Sequence, residues 1–134
     1  MKLLLAASAA ALAVAAGTAA PTARGDAVGC TWAPYGTVCI WVWGSGTYVH
    51  HVQVTRNKPY YNMICDYQGR LTVHKEGLGR IYSRWSPFHS GCTPLKAWFD
   101  WYPDRRFPDQ AIVCVAFFEH GKRQGGRACE TIHS

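Results

Sequence analysis

The sequence has 134 residues, with 14 lysines and arginines against 8 aspartates and glutamates, and a net charge of +6. This length fits one domain and excludes two independent ones. The basic residues are scattered, with no run longer than Arg105-Arg106, whereas nucleic-acid binding needs clustered cations. We therefore expect a generic basic surface and no nucleic-acid partner.

The chain begins with the pattern of a secretory signal peptide. Lys2 precedes an apolar run and then small residues, and the run is too short to cross a bilayer. Cleavage after Ala19 or after Ala27 fits the small-residue preference, and we favour Ala27. The sequence thus predicts a signal peptide over 1–27, a single secreted β domain over 28–134, an extracellular location and no membrane span.

Strand-like segments follow one another along the rest of the chain. Gly, Pro, Asn and Asp separate them, and no segment combines an apolar period of 3.6 residues with helix caps. Such spacing is typical of an all-β, disulfide-braced antiparallel sandwich or small barrel with little or no helix. The segments rich in β-branched and aromatic residues are 37–43, 47–55, 70–76, 79–85, 95–102, 110–118 and 127–133.

The first two segments predict a hairpin that contains two adjacent histidines. The Gly44-Ser45-Gly46 stretch between them lacks the third glycine and the helix of a dinucleotide site. Because successive side chains of a strand point to opposite faces, His50 and His51 cannot bind one metal ion together. A two-residue turn places Trp41 beside His50, and a three-residue turn places Ile40 there. In either register His50 lies on the more apolar face, so we expect it to be buried and His51 to face the other side.

The sharpest candidate for catalysis is the pair His74 and Glu76. Residues i and i+2 of a strand share a face, so the imidazole and the carboxylate could lie side by side. With Arg80 or Arg84 as a cation and His89 as a second base, these groups resemble those of a small secreted ribonuclease. Their order and spacing match no ribonuclease family, and a solvated strand end is the favoured interpretation.

The segment from Ser86 to Lys96 has the composition of a rigid binding loop. Prolines flank it and Cys92 anchors it. Ordering a loop in advance lowers the entropy lost on binding, so Leu95 or Lys96 could occupy a specificity pocket of a protease. No inhibitor family's full cysteine pattern fits the chain.

The fifth segment carries aromatic residues on both faces. Phe99 and Trp101 share one face, and Trp98 and Tyr102 flank Asp100 on the other, which we expect to be exposed. Carbohydrate or unstacked bases could bind such a platform. A small sandwich needs large side chains for its core, however, so we favour core positions for the tryptophans.

An even number of cysteines in an exported chain of this size indicates a disulfide framework, and no C-x-x-C spacing indicates zinc or redox chemistry. The six are Cys30, Cys39, Cys65, Cys92, Cys114 and Cys129. If the last two segments form a hairpin around Gly121-Lys122, Cys114 faces Cys129. A turn over 33–36 closes Cys30 on Cys39, which leaves Cys65 with Cys92. Glu119 and His120 fall at the tip of that last hairpin, and His133 lies near the C-terminus, where side chains are normally solvated.

Three stretches resemble small secreted, cysteine-containing proteins of actinobacteria. They are V-C-I-x-V-x-G-S-G-x-Y-V at 38–49, I-V-C-V-A-F at 112–117 and A-C-E-T-I at 128–132. The resemblance implies export and a β fold. Its motifs carry cysteines and strand residues, so no reactive group and no mechanism transfers with it.

The sequence as a whole favours binding over catalysis. We expect a secreted, disulfide-stabilised monomer that binds an extracellular protein or surface ligand, in one version inhibitor-like through the loops between strands. The binding residues cannot be assigned, and no catalytic residue, metal ligand set or cofactor is expected. The alternative function is a small basic hydrolase of the ribonuclease type that uses His74, Glu76 and His89.

Overall fold

The computed structural model describes residues 27–134, which form strands and no helix. The predicted signal peptide over 1–27 lies outside this part of the chain except for Ala27. The strands are β1 (Ala27–Ala33), β2 (Gly36–Ser45), β3 (Tyr48–Asn57), β4 (Met63–Lys75), β5 (Gly79–Trp85), β6 (His89–Pro94), β7 (Lys96–Trp101), β8 (Arg105–Arg106), β9 (Ile112–Glu119), β10 (Lys122–Arg123) and β11 (Ala128–Thr131).

The strands form two antiparallel sheets packed as a sandwich, which confirms the predicted all-β fold. Sheet A has the order β1-β2-β3-β7, with β8 also beside β3. Sheet B has the order β10-β9-β4-β5, with β11 also beside β9 and β6 also beside β4. No helix long and apolar enough to cross a membrane occurs within residues 27–134.

The core between the sheets consists mainly of aliphatic side chains at alternate strand positions. This alternation follows from the two-residue period of a strand. Sheet A contributes Val38, Ile40, Val42, Val52 and Val54, and sheet B contributes Leu71, Val73, Val113, Val115 and Phe117. All are essentially inaccessible to solvent, so their burial contributes most of the hydrophobic stabilisation.

All three predicted disulfides are present. Cys30–Cys39 joins β1 to β2, Cys65–Cys92 joins β4 to β6, and Cys114–Cys129 joins β9 to β11. In each case the two residues lie directly opposite each other in neighbouring antiparallel strands. A disulfide-braced all-β domain of this size is compatible with a secreted binding protein.

The register of the β2–β3 hairpin differs from both of the registers predicted from the sequence. Ser45 pairs with Tyr48 around a Gly46-Thr47 turn, and the register then shifts, so that Trp43 lies opposite His51. His50 is the extra residue of this β-bulge. The bulge lets both Val49 and Val52 face the core, and the prediction that His50 is buried is therefore wrong.

A buried ion pair connects the two sheets. Arg56 of β3 is fully buried, and its Nε donates to Glu119 Oε2 of β9 at 2.9 Å. Lys58 also pairs with the Glu119 carboxylate. The prediction of a solvated Glu119 is thus wrong, because β9 includes this residue and the β9–β10 turn begins only at His120, which is exposed.

Candidate functional site

The structure does not bring together the three groups of the hydrolase hypothesis. His74 lies near the end of β4, and Glu76 is exposed in the following turn. His89 lies opposite Tyr67, with the two rings stacked 4.4 Å apart. Tyr67 and His74 are seven positions apart on β4, which corresponds to about 23 Å. His74 and His89 therefore cannot act on one substrate bond.

His74 instead borders a concave site on the outer face of sheet B that we call the arginine pocket. Its volume is about 210 Å³, and its lining includes Arg70, Arg80, Arg123 and Arg127. Arg127 donates from Nη1 to His74 Nε2 at 3.1 Å, so Nε2 carries no proton and the imidazole is neutral. Burial, together with the charges of Arg127, Arg80 and Arg70, lowers the pKa of His74.

Sequence reasoning missed this pocket because its arginines are far apart in the chain. Arg70 belongs to β4, Arg80 to β5 and Arg123 to β10, and Arg127 precedes β11. They meet only because β9 and β10 lie on one side of β4 and β5 on the other. Basic residues that appear scattered in the sequence are therefore clustered in the fold.

The prediction of a binding loop from Ser86 to Lys96 is wrong for most of its length, because His89–Pro94 form strand β6 paired with β4. The end of the segment is held by the backbone of its own domain. Leu95 has a left-handed conformation with φ of 68°. Its N–H donates to Asn62 O at 3.0 Å, and its carbonyl accepts from Lys58 N at 2.8 Å. Both backbone groups are therefore already used, although the side chains of Leu95 and Lys96 are exposed.

The outer face of sheet A carries a two-dimensional array that we call the aromatic face. Pairing between strands places its outward side chains in four rows. The rows are Trp43, His51 and Tyr102; Val28, Trp41, Gln53 and Asp100; Cys30, Cys39, Thr55 and Trp98; and Trp32, Thr37, Asn57 and Lys96.

One row of this array is a continuous stack of rings. The His51 ring lies 4.3 Å from Trp43 and 4.5 Å from Tyr102, and both pairs are nearly parallel. His51 Nε2 also contacts Asp100 Oδ1 at 2.7 Å, and Gln53 Nε2 donates to the same oxygen at 2.9 Å. The stack and these hydrogen bonds fix the polar groups on the face.

Three tryptophans of the aromatic face are open to solvent. Trp32 is 84% exposed, Trp98 is 54% exposed and Trp41 is 37% exposed. Among the described residues, the expectation that tryptophans fill the core holds only for Trp101, since mainly aliphatic side chains, with Tyr67, Phe107 and Phe117, occupy the rest of the core. The expected exposure of Trp98, Asp100 and Tyr102 on one face of β7 is confirmed.

The fourth row of the aromatic face opens into a groove of about 560 Å³. Trp32, Tyr60, Leu95 and Lys96 are among its lining residues. Tyr60 is almost fully exposed and has a left-handed backbone. The groove therefore extends the aromatic face from sheet A onto the β3–β4 connection.

Beside the first row, the bulged His50 pairs with Asp104, which also accepts from the Tyr48 hydroxyl at 3.3 Å. Desolvation and the Asp104 charge raise the pKa of Tyr48.

Within residues 27–134, no three His, Cys, Asp or Glu side chains are placed to share a metal ion.

No family model, curated protein or solved structure matches the chain. The resemblance to actinobacterial secreted proteins therefore stays a prediction.

Proposed function

We propose that this protein is an extracellular binding protein that recognises a neutral polysaccharide through the aromatic face of sheet A. The observation that carries the proposal is the set of exposed indoles at Trp32, Trp41 and Trp98, arranged across β1, β2 and β7. An exposed indole costs free energy in water, and a flat apolar ring is a surface on which the C–H face of a sugar can pack.

Polar groups for the sugar hydroxyls lie between these rings. Gln53 and Asp100 share the second row with Trp41, and Asp100 is also the neighbour of Trp98 on that face of β7. Carboxylate and amide groups accept and donate the hydrogen bonds that hydroxyls require. Because Asp100 is already oriented by His51 and Gln53, less side-chain entropy is lost on binding.

The charge of the aromatic face favours a neutral ligand over a nucleic acid. Its second row contains Asp100, and Asp104 lies beside its first row. Lys96, in the fourth row, is the one lysine or arginine of the four rows, and Arg106 of β8 lies opposite Tyr48 beside the first row. A phosphate backbone needs several cations along its path, and these carboxylates would repel it.

The face supports binding better than the loop around Leu95 does. A substrate-like inhibitor presents free backbone groups to a protease, and those of Leu95 are bonded to Asn62 and Lys58. The rows of sheet A, by contrast, are rigid and open. A site built on strands is also more precise than one built on loops.

Retention on insoluble polysaccharides tests the proposal. The purified secreted protein is mixed with cellulose, chitin or starch at high salt, and the protein left in solution is measured. We expect depletion by at least one polysaccharide, and much weaker depletion for the double variant Trp41→Ala/Trp98→Ala. Binding should persist at high salt because stacking on rings does not depend on charge.

Trp85→Ala is the matched control, since Trp85 is 49% exposed but belongs to β5 of sheet B. It should be depleted like the wild type. The proposal fails if no polysaccharide retains the protein, or if the Trp41/Trp98 variant and the Trp85 variant behave alike. Far-ultraviolet circular dichroism of each variant verifies that the fold is kept.

A further inference from the structure

We infer that the arginine pocket on sheet B is a second binding site, for the dianion of a phosphate monoester. It lies on the outer face of sheet B, whereas the aromatic face belongs to sheet A. The inference therefore stands apart from polysaccharide binding on sheet A.

The pocket carries a concentrated positive charge. Four guanidinium groups, from Arg70, Arg80, Arg123 and Arg127, line one concavity, and no Asp or Glu lines it. None of the four forms an ion pair with a carboxylate of residues 27–134. Like charges at this density repel one another, and a bound anion removes that cost.

The pocket also has a large hydrogen-bonding capacity. Arg127 uses one donor on His74, and Arg70 uses Nε on Ser83 Oγ at 3.2 Å. Each guanidinium has five N–H groups in a planar fork that fits phosphate oxygens in pairs. Most of these donors have no acceptor among the described residues, so a phosphate with its three terminal oxygens can accept several at once.

The size and shape of the pocket select a monoester over a nucleic-acid backbone. A volume of about 210 Å³ equals roughly seven water molecules, which is room for one phosphate group and the start of what it esterifies. The arginines converge on one concavity instead of following a line. Recognition of a phosphodiester chain needs cations along its length.

His74 gives the site a local reporter. It is neutral because Arg127 donates to Nε2 and three arginines face it. An anion among those arginines offsets their charge, so bound phosphate should raise the pKa of His74. The aliphatic and aromatic parts of the wall, Ala116 and Phe118, contribute no competing charge.

Calorimetric titration and histidine NMR test this site on the purified protein at low salt. Inorganic phosphate and glucose 6-phosphate should bind, with affinity that falls as salt increases. A pH titration of the His74 resonance should give a higher pKa for the imidazole when phosphate is bound. The variant Arg123→Gln/Arg127→Gln should bind about 10–100-fold more weakly, which corresponds to the loss of charge-assisted hydrogen bonds. Both arginines are exposed, so the fold does not depend on them.

Lys96→Gln/Arg106→Gln is the control for net charge, because these exposed residues of β7 and β8 lie in sheet A. It should bind glucose 6-phosphate like the wild type. The inference is overturned if neither phosphate binds, if the two double variants lose affinity equally, or if an oligothymidylate without terminal phosphates binds more tightly than glucose 6-phosphate. Polysaccharide retention by the Arg123/Arg127 variant should be unchanged, so failure of one site can be told from failure of the other.

Discussion

Arg56 and Glu119 form an ion pair across the interior of the sandwich, with Arg56 Nε 2.9 Å from Glu119 Oε2. Arg56 Nη1 also donates to the carbonyl of Asn57 at 3.1 Å, and Nη2 donates to that of Pro34. The guanidinium therefore has acceptors in several directions, which is the condition under which a buried charge is tolerated. The pair connects β3 of one sheet to β9 of the other.

Replacing Glu119 by Ala should lower the free energy of unfolding by about 3–5 kcal/mol, because it leaves the buried Arg56 without its counter-charge. Urea denaturation with the disulfides intact measures this loss. Glu76→Ala is the matched control, since Glu76 is exposed in the β4–β5 turn, and it should change stability by no more than about 0.5 kcal/mol. Equal effects of the two substitutions would contradict the structural role of the pair.

Local information predicts seven strand segments and the disulfides Cys30–Cys39 and Cys114–Cys129, whereas β1, β6, β8, β10 and the first half of β4 are not predicted and Cys65–Cys92 follows only by elimination. Alternating β-branched residues and turn residues mark the strands, and hairpin pairing places Cys114 opposite Cys129. At His50 the local pattern fails because of one extra residue. The bulge at His50 reverses the facing of every position before it in the strand, and a strand period applied without the bulge places His50 on the core face.

The aromatic face and the arginine pocket could not be derived from the sequence, because each depends on which strands are neighbours. The rings of Trp43, His51 and Tyr102 form a stack only because β7 lies beside β3. Arg70 and Arg123 share a pocket only because β9 and β10 lie on one side of β4. Strand order in a sheet with long-range pairing has no local signature.

The two adjacent histidines should contribute very differently to stability. His51→Ala removes two ring contacts and the hydrogen bond to Asp100, at an expected cost of about 1–3 kcal/mol. His50→Ala removes a side chain that is 58% exposed and its surface pairing with Asp104, at a cost below about 1 kcal/mol. Thermal or urea denaturation of both variants provides the comparison, and a larger effect at His50 would contradict the observed bulge.

The disulfides should stabilise the domain by amounts that grow with the logarithm of the length of the loop that each one closes. Cys65–Cys92 spans 27 positions and Cys30–Cys39 spans 9. In the chain-entropy model the longer loop contributes about 1 kcal/mol more. The variant Cys65→Ala/Cys92→Ala should therefore unfold at lower urea than Cys30→Ala/Cys39→Ala. The reverse order would show that local packing of Cys39, which is buried, outweighs the loop entropy.

Stability should also decrease in mildly acidic solution because of His74. Burial and the neighbouring arginines lower its pKa in the fold, so as pH falls below about 6.5 the unfolded chain binds a proton before the folded one does. The contribution of neutral His74 is complete above that pH and is lost as pH falls through the window below it. In phosphate-free buffer, the difference in unfolding free energy between pH 7.5 and pH 5 should be smaller for His74→Gln than for the wild type. His133→Gln, which removes an exposed histidine near the C-terminus, controls for the loss of one histidine, and a His74 variant with the full wild-type pH dependence would show that the arginines do not act on this ring.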